Sequence, residues 1–271
     1  MLNPISILPA LVSYSLSSTH ASPPVTLYGD SQCGQANSDW DRVLSGSEAT
    51  LNEFPWQVLV QPSFPDGKDS LCGGVLLERD LVLTAAHCFC SKSADAIADV
   101  VTIRLGAHSR NSSLGTEEVK GFFVNQSVVI HPGYTNVRWS PHDLALIFLG
   151  HHLDLDLPRY KGTIGPICLP SLTTNFTGKE GLVSGWGSTK EHGLPSDVLM
   201  KALVEVVDHG GCMEQYNSTG YIVGEGIFCA RGVGGADTCK GDSGGPLAVK
   251  EEASGKCSQE SFPQSVQGTT C

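Results

Sequence analysis

The chain has 271 residues, enough for one large domain or two small ones. Its 28 acidic side chains outnumber its 17 basic ones, and the net charge of −11 argues against a surface that binds nucleic acid. It has no run of 18 apolar residues and so no candidate transmembrane helix, while 40% hydrophobic residues suffice to fill a core.

The N-terminal region predicts a secreted, extracellular protein. Residues 1–21 are mildly apolar and end in the small residue Ala21, as a secretory signal peptide does. Two features depart from that pattern: Pro9 interrupts the apolar stretch, and no Lys or Arg lies near Met1. A disordered N-terminus or a misassigned start is the alternative. Ten cysteines suit the disulfide framework of an extracellular protein. Four sequons predict N-glycosylation, at Asn111, Asn125, Asn175 and Asn217.

The remaining chain divides into three stretches by composition. Residues 22–42 are rich in Pro, Ser and Asp, and the first basic residue of the whole chain is Arg42. From Phe54 onward, short apolar runs alternate with Pro and Gly turns, which predicts an all-β antiparallel sandwich or barrel. The runs cover residues 56–60, 75–77, 81–84, 100–105, 124–130, 144–149, 182–186, 203–207, 227–230 and 246–249. Residues 251–271 lack an apolar pattern, so we expect a disordered tail that adds no strand.

Three short segments contain the residue types of acyl-transfer chemistry. They are TAAHC at 84–88, HDLAL at 142–146 and GDSGGP at 241–246. Each alone is more often structural or a surface loop, but together they supply a hydroxyl nucleophile, an imidazole base and a carboxylate that orients the base. The glycines around Ser243 allow the backbone amides of Gly241 and Ser243 to converge on a developing oxyanion.

In this order and context the three segments resemble the trypsin/chymotrypsin family of serine peptidases. Further matches are FPWQ at 54–57, CGG at 72–74, ICLP at 167–170 and GWG at 185–187, so the resemblance spans about residues 33–250. It implies two antiparallel six-stranded β-barrels with the catalytic residues in the cleft between them. It also implies that His87 is the general base, Asp143 its orienting carboxylate and Ser243 the nucleophile.

The resemblance further implies that the chain is a zymogen whose activated form cleaves peptides after basic residues. Asp237 matches the acid at the base of the specificity pocket in trypsin-like members, which selects a substrate Arg or Lys. Cleavage after Arg42 would free the amine of Val43, which would then pair with Asp242 inside the protein. The expected domains are a signal peptide at 1–21, a propeptide at 22–42 and a peptidase domain at 43–250. The expected partners are protein or peptide substrates, an activating protease and protein inhibitors, with no membrane and no cofactor.

By the same resemblance three cysteine pairs form disulfides: Cys72 with Cys88, Cys212 with Cys229, and Cys33 with Cys168. Cys90, Cys239, Cys257 and Cys271 remain without an assigned partner. We expect no metal site, because Ala107 replaces the first carboxylate of the family's calcium loop.

The sequence departs from the family after residue 250. Only 28 residues follow Ser243, and the Ser-Trp-Gly strand that forms one wall of the substrate pocket is missing from them. We therefore expect the second barrel to be incomplete by two strands, with unpaired edges. Two interpretations follow: a secreted trypsin-like endopeptidase, or a catalytically weak or inactive truncated homologue that acts as a binding or decoy protein.

Overall fold

The computed structural model describes residues 33–37, 46–91, 96–111, 118–136, 142–170, 174–190, 192–217, 227, 229–235, 241–250 and 257–260. The expected signal peptide, the Arg42–Val43 bond and Asp237 lie outside these ranges. The described residues form 13 strands: β1 (Ser47–Glu48), β2 (Gln57–Ser63), β3 (Cys72–Glu78), β4 (Leu81–Thr84), β5 (Val100–Leu105), β6 (Glu118–Phe123), β7 (Val128–Ile130), β8 (Ala145–Phe148), β9 (Glu180–Gly185), β10 (Met200–Val206), β11 (Ala230–Gly232), β12 (Leu247–Lys250) and β13 (Cys257–Glu260).

The first sheet is a nearly closed antiparallel barrel. Its strand order is β6-β5-β2-β3-β4-β8-β7, and the two outer strands are joined by one helical turn, α1 (Val124–Ser127). This turn occupies the first four residues of the apolar run 124–130, which we predicted as one strand, and only the last three residues form β7. With β6, which precedes the run, the sheet has seven described strands. Val124 is buried at the closure. The core inside the barrel is formed by aliphatic and aromatic side chains, including Val58, Leu76, Phe89, Ile103 and Ile147.

The second sheet is antiparallel and open. Its order is β1-β10-β9-β12-β13, with β11 also paired to β10. Within the described ranges no strand connects β11 to β13. A smaller core lies on this sheet and consists of Phe176, Val183, Ala202, Val204, Val206, Leu247 and Val249.

The expectation that residues 251–271 add no strand is wrong for residues 257–260. These residues form β13, which pairs antiparallel with β12 over four residue pairs, from Leu247↔Glu260 to Lys250↔Cys257. The sequence Cys-Ser-Gln-Glu has no alternating apolar pattern, which is why the periodicity did not indicate a strand. Pairing instead satisfies the backbone groups at the outer edge of β12, a need that does not depend on side-chain type.

Helical structure is sparse among the described residues. The longest helix there, α2 (His209–Asn217), has nine residues and was not predicted, because it lacks an apolar face. In the same ranges 3₁₀ turns cover Ala86–Phe89 and Val233–Gly235. None of the described helices is long and apolar enough to cross a membrane.

All three disulfides implied by the resemblance are present. Cys72–Cys88 fixes the turn after β4 to the start of β3, and Cys212–Cys229 links α2 to the residue before β11. Cys33–Cys168 connects the N-terminal segment to the body of the protein. Cys90 is a free thiol.

Hydrogen bonds also hold the N-terminal segment in place. The Gly34 amide donates to the Pro166 carbonyl at 2.9 Å. The Asn37 side-chain amide donates to the carbonyls of Asn52 at 2.6 Å and Gly162 at 2.5 Å. Residues 33–37 are therefore docked against the body both covalently and through polar contacts.

The two sheets pack through a shared core and, at one point, through backbone alone. The shared core contains Trp56, Leu59, Val75 and Leu146 from the first sheet region and Leu182, Trp186, Leu199 and Ala248 from the second. Beside it, the Gly73 amide donates to the Ser243 carbonyl at 2.8 Å. A Cβ at Gly73 would lie 2.9 Å from the Gly245 Cα, and a Cβ at Gly244 would lie 2.7 Å from the Gly73 carbonyl oxygen. These glycines permit a contact that no side chain would allow.

Gly244→Ala is expected to destabilise the fold by about 2–4 kcal/mol, because it adds a clash with backbone to a left-handed conformation, φ +80°. Gly67→Ala is the matched control. Gly67 has a similar φ of +77°, but no atom lies within 4 Å of its Cβ position, so only the conformational term of about 1–2 kcal/mol remains. Urea unfolding measures both. Equal losses for the two variants would contradict the close backbone contact.

Deletion of residues 257–271 is expected to destabilise the protein by roughly 2–4 kcal/mol, since the four β12–β13 residue pairs are lost at about 1 kcal/mol per hydrogen bond. Deletion of residues 261–271 alone is the control, because it keeps β13. Denaturant unfolding gives the difference, and hydrogen exchange should show faster exchange in β12 only for the longer deletion. Identical exchange in both variants would argue against the pairing.

Candidate active site

His87 lies in the 3₁₀ turn that follows β4, next to the cleft between the sheets. Ala85 and Ala86 are buried, and Cys88 is cross-linked to Cys72, so the backbone on both sides of His87 is fixed. The His87 side chain itself remains 22% exposed. The position is rigid but accessible, as a group that exchanges protons with a substrate requires.

Asp143 comes just before β8 and binds His87 twice. Its Oδ1 accepts a hydrogen bond from the His87 backbone amide at 2.7 Å, and its Oδ2 lies 2.6 Å from His87 Nδ1. A carboxylate only accepts hydrogen bonds, so Nδ1 carries the proton. This leaves the lone pair of a neutral imidazole on Nε2, where it is able to accept a proton.

The charge of Asp143 acts on two neighbouring groups, Tyr134 and Cys90. Burial raises the pKa of the Tyr134 phenol, and the negative charge of Asp143 raises it further. Burial and then Asp143 raise the pKa of the Cys90 thiol in the same way. Both groups therefore remain uncharged at neutral pH. Sequence reasoning missed both, since neither belongs to the three motifs; Cys90, two residues beyond Cys88, was noted only as unpaired.

Ser243 lies in a tight loop that is held by the first sheet. The flanking glycines adopt positive φ, +111° at Gly241 and +80° at Gly244, and the Gly245 amide donates to the Asp242 carbonyl at 3.0 Å. A Cβ at Gly244 would come within 2.9 Å of the Ala85 amide nitrogen, two residues from His87. The loop therefore packs against the backbone of the segment that leads into His87. Within the described part of the chain no hydrogen bond joins the Ser243 and His87 side chains, and such bonds often tighten only when substrate binds.

The Asp242 side chain contacts the second sheet. Its Oδ1 accepts a hydrogen bond from the Gly187 amide at 2.7 Å. A Cβ at Gly185 or Gly187 would collide with the Asp242 carboxylate, so the GWG motif is shaped to receive this side chain. The GWG motif at 185–187 and Asp242, both noted in the sequence, therefore contact each other in the structure.

The structure also locates the remaining predicted residues that it describes. Asn111, Asn125 and Asn175 are exposed, and Asn217 ends α2. Cys72, His87 and Cys88 bring their ligand atoms within 4.8 Å of one another, but the two sulfurs are joined in a disulfide and supply no thiolate. Asp237, Arg42 and Val43 fall outside the described ranges.

Comparison with known proteins identifies relatives across most of the chain. Residues 43–268 match the family model described as Trypsin, which extends past the boundary at residue 250. The chain is 34% identical to Melanization protease 1 of Drosophila melanogaster over 231 residues, which cover 79% of this chain and 56% of that protein. It is 33% identical to the Spaetzle-processing enzyme of the same species over 247 residues, covering 85% and 60% respectively.

A human relative of similar size matches over nearly its whole length. The chain is 34% identical to Kallikrein-12 of Homo sapiens over 243 residues, covering 85% of this chain and 87% of that protein. By contrast, the match covers only about half to two thirds of the insect relatives. The family-model match and these identities agree with the double hydrogen bond between His87 and Asp143 and with the docked GDSGGP loop. The chain belongs to the trypsin family of serine proteases.

Proposed function

We propose that this chain is the zymogen of a secreted serine endopeptidase that hydrolyses peptide bonds after Arg or Lys. The observation that carries the proposal is the pair of hydrogen bonds between Asp143 and His87, with the Ser243 loop docked beside them. The first sheet region supplies the proposed base and its carboxylate, and the loop before β12 of the second sheet supplies the proposed nucleophile. This is the arrangement that acyl transfer by a hydroxyl requires.

In the proposed mechanism Ser243 Oγ attacks the carbonyl carbon of the scissile bond, and its proton moves to His87 Nε2. The imidazolium that forms is stabilised by Asp143, whose Oδ2 already accepts from Nδ1. The tetrahedral intermediate collapses when His87 protonates the leaving amine, which leaves an acyl ester on Ser243. A water molecule then attacks this ester, again with His87 as base, and restores the free serine.

The amides of Gly241 and Ser243 are the proposed oxyanion donors. Gly241 adopts a positive φ that residues with a Cβ rarely adopt, and a Cβ at this position would lie 2.9 Å from the Gly187 Cα. Donors fixed in this way lose no reorganisation energy when negative charge develops on the substrate oxygen.

Activation is proposed to proceed by cleavage between Arg42 and Val43. The new ammonium of Val43 would pair with Asp242, next to the Gly187 amide that already binds this carboxylate. The disulfide framework and the exposed sequons support an extracellular location. Asp237 is proposed to receive the substrate Arg or Lys at the base of the pocket.

A second candidate is a binding or decoy protein with little activity. The observation that favours it is the open second sheet, in which no described strand connects β13 to β11. An open sheet leaves the proposed substrate pocket with fewer walls. The two candidates differ in whether Ser243 reacts covalently after cleavage at Arg42.

Ser243→Ala is expected to lower turnover of peptide substrates by at least about 10³-fold, because base and nucleophile act as a unit. The full chain is cut after Arg42 and treated with a phosphonate that labels activated serines. The cut wild type should be labelled. The Ser243→Ala variant and the uncut Arg42→Gln variant should not. Failure of the cut wild-type protein to react would favour the binding protein.

Asp237→Ser is expected to reduce kcat/KM for substrates with Arg or Lys before the scissile bond by 10²-fold or more, since a buried ion pair with the substrate is lost. Substrates with Phe or Leu at that position should change little. Kinetics on a matched set of peptides tests this. A wild-type preference for Phe or Leu would refute the assignment of Asp237.

A further inference from the structure

Two histidine rings stack immediately beside Asp143. The ring centroids of His131 and His142 are 4.6 Å apart and the ring planes differ by 14°. His131 is only 5% exposed, and His142 directly precedes Asp143 in the chain. Neither histidine belongs to the mechanism described above.

Gly133 leaves the space that the two stacked rings occupy. A Cβ at Gly133 would lie 2.8 Å from His142 Cδ2 and 3.3 Å from His131 Cε1, so no larger residue fits there. The Gly133 amide also donates to His131 Nδ1 at 3.0 Å. The His131 ring is thus fixed by its own turn on one side and by His142 on the other.

His131 remains neutral in this site. Burial lowers the pKa of His131, and the neighbouring His142 lowers it further. Protonation of Nδ1 would remove the lone pair that accepts from Gly133. The His131 Nε2 atom has no hydrogen-bond partner among the described residues. Among the described residues, the contact that the His131 ring makes beyond its own turn is therefore the stack on the His142 ring.

The stack holds the turn from which Asp143 projects. His142 has a left-handed backbone, φ +62°, which is uncommon for a residue with a side chain. The Leu144 amide donates to the His142 carbonyl at 2.7 Å, so Asp143 is the central residue of a three-residue turn. The His131 amide donates in turn to the Leu144 carbonyl at 2.9 Å. Both rings are thus attached to the backbone that sets the direction of the Asp143 side chain.

We propose that His131 and His142 are positioning residues whose stacked rings lock the turn of Asp143 and so aim its carboxylate at His87. The proposal rests on the proposed function to the extent that Asp143 orients the base. The two Asp143–His87 hydrogen bonds, at 2.6 and 2.7 Å, both depend on this direction. A displacement of about 1 Å in such a contact commonly lowers a rate by about 10²-fold.

The test compares variants that separate the ring from the backbone. His142→Asn removes the ring but keeps a residue that tolerates positive φ. His131→Ala removes the other ring, and His131→Phe restores a flat ring at the same place. We expect His142→Asn and His131→Ala to lower kcat by about 10- to 10²-fold with KM nearly unchanged. His131→Phe should recover most of the loss.

A spectroscopic readout keeps the test independent of turnover. In ¹⁵N-histidine NMR of the full uncut chain, the Nδ1–H proton of His87 bound to Asp143 should be protected from exchange with water. It should exchange faster in His142→Asn and His131→Ala, and return to protection in His131→Phe. His192→Asn is the matched control, because His192 also has positive φ, +56°, but is exposed and lies outside the site.

The outcomes are distinguishable. Loss of protection in His142→Asn and His131→Ala, but not in His192→Asn, supports the positioning role. This holds even if the wild-type protein shows no turnover, because absent turnover counts against the proposed enzyme and not against the positioning role. Unchanged protection and unchanged kcat in His142→Asn and His131→Ala would overturn it. So would a His131→Phe variant that behaves like His131→Ala, since the flat ring would then not be the active feature.

Discussion

The arrangement of the site depends on one backbone contact between the two sheets. Gly73 on β3 and Gly244–Gly245 in the loop before β12 approach so closely that a Cβ at Gly73 or Gly244 would collide with backbone. The hydrogen bond from the Gly73 amide to the Ser243 carbonyl closes this contact. Since His87 follows β4, the neighbour of β3, the same contact determines how far the proposed nucleophile lies from the proposed base. Large apolar side chains such as Trp56 and Trp186 hold the sheets together, whereas the glycines set their distance.

Electrostatics then distinguishes the groups around His87. Burial, and then the negative charge of Asp143, raise the pKa values of Tyr134 and Cys90, so both groups stay neutral near this carboxylate. A second buried carboxylate, that of Glu53, forms an ion pair. Glu53, 1% exposed, binds Lys201 Nζ at 2.7 and 2.8 Å and also accepts from the Thr50 amide. This pair fixes β10 against the segment that precedes β2, and a buried carboxylate without such a partner would be strongly destabilising.

The sequence predicted much of the fold because buried strands have recognisable runs of apolar residues. The runs 81–84 and 100–105 coincide with β4 and β5, and the run 75–77 lies within β3. Prediction was wrong or incomplete where structure depends on backbone rather than on hydrophobicity. The run 124–130 begins with a helical turn that joins β6 to β7, and β6 and β13 were not predicted. The three motifs predicted the residues of the candidate site. The stack of His131 on His142 joins residues 11 positions apart and has no local sequence signal.

The disulfide between Cys33 and Cys168 would contribute differently to stability before and after the proposed cleavage at Arg42. In the intact polypeptide it closes a loop with a sequence separation of 135, and such closure lowers the entropy of the unfolded ensemble by an amount worth about 5 kcal/mol. Arg42 lies inside this loop. Cleavage there opens it, and the same bond becomes the sole covalent link between two polypeptides. A mild reductant would then act differently on the two forms. The intact polypeptide would retain residues 33–37 through the main chain. The cut form would hold them through non-covalent contacts, among them the hydrogen bonds of Gly34 and Asn37 and the packing of Ala36, and would release them on dilution.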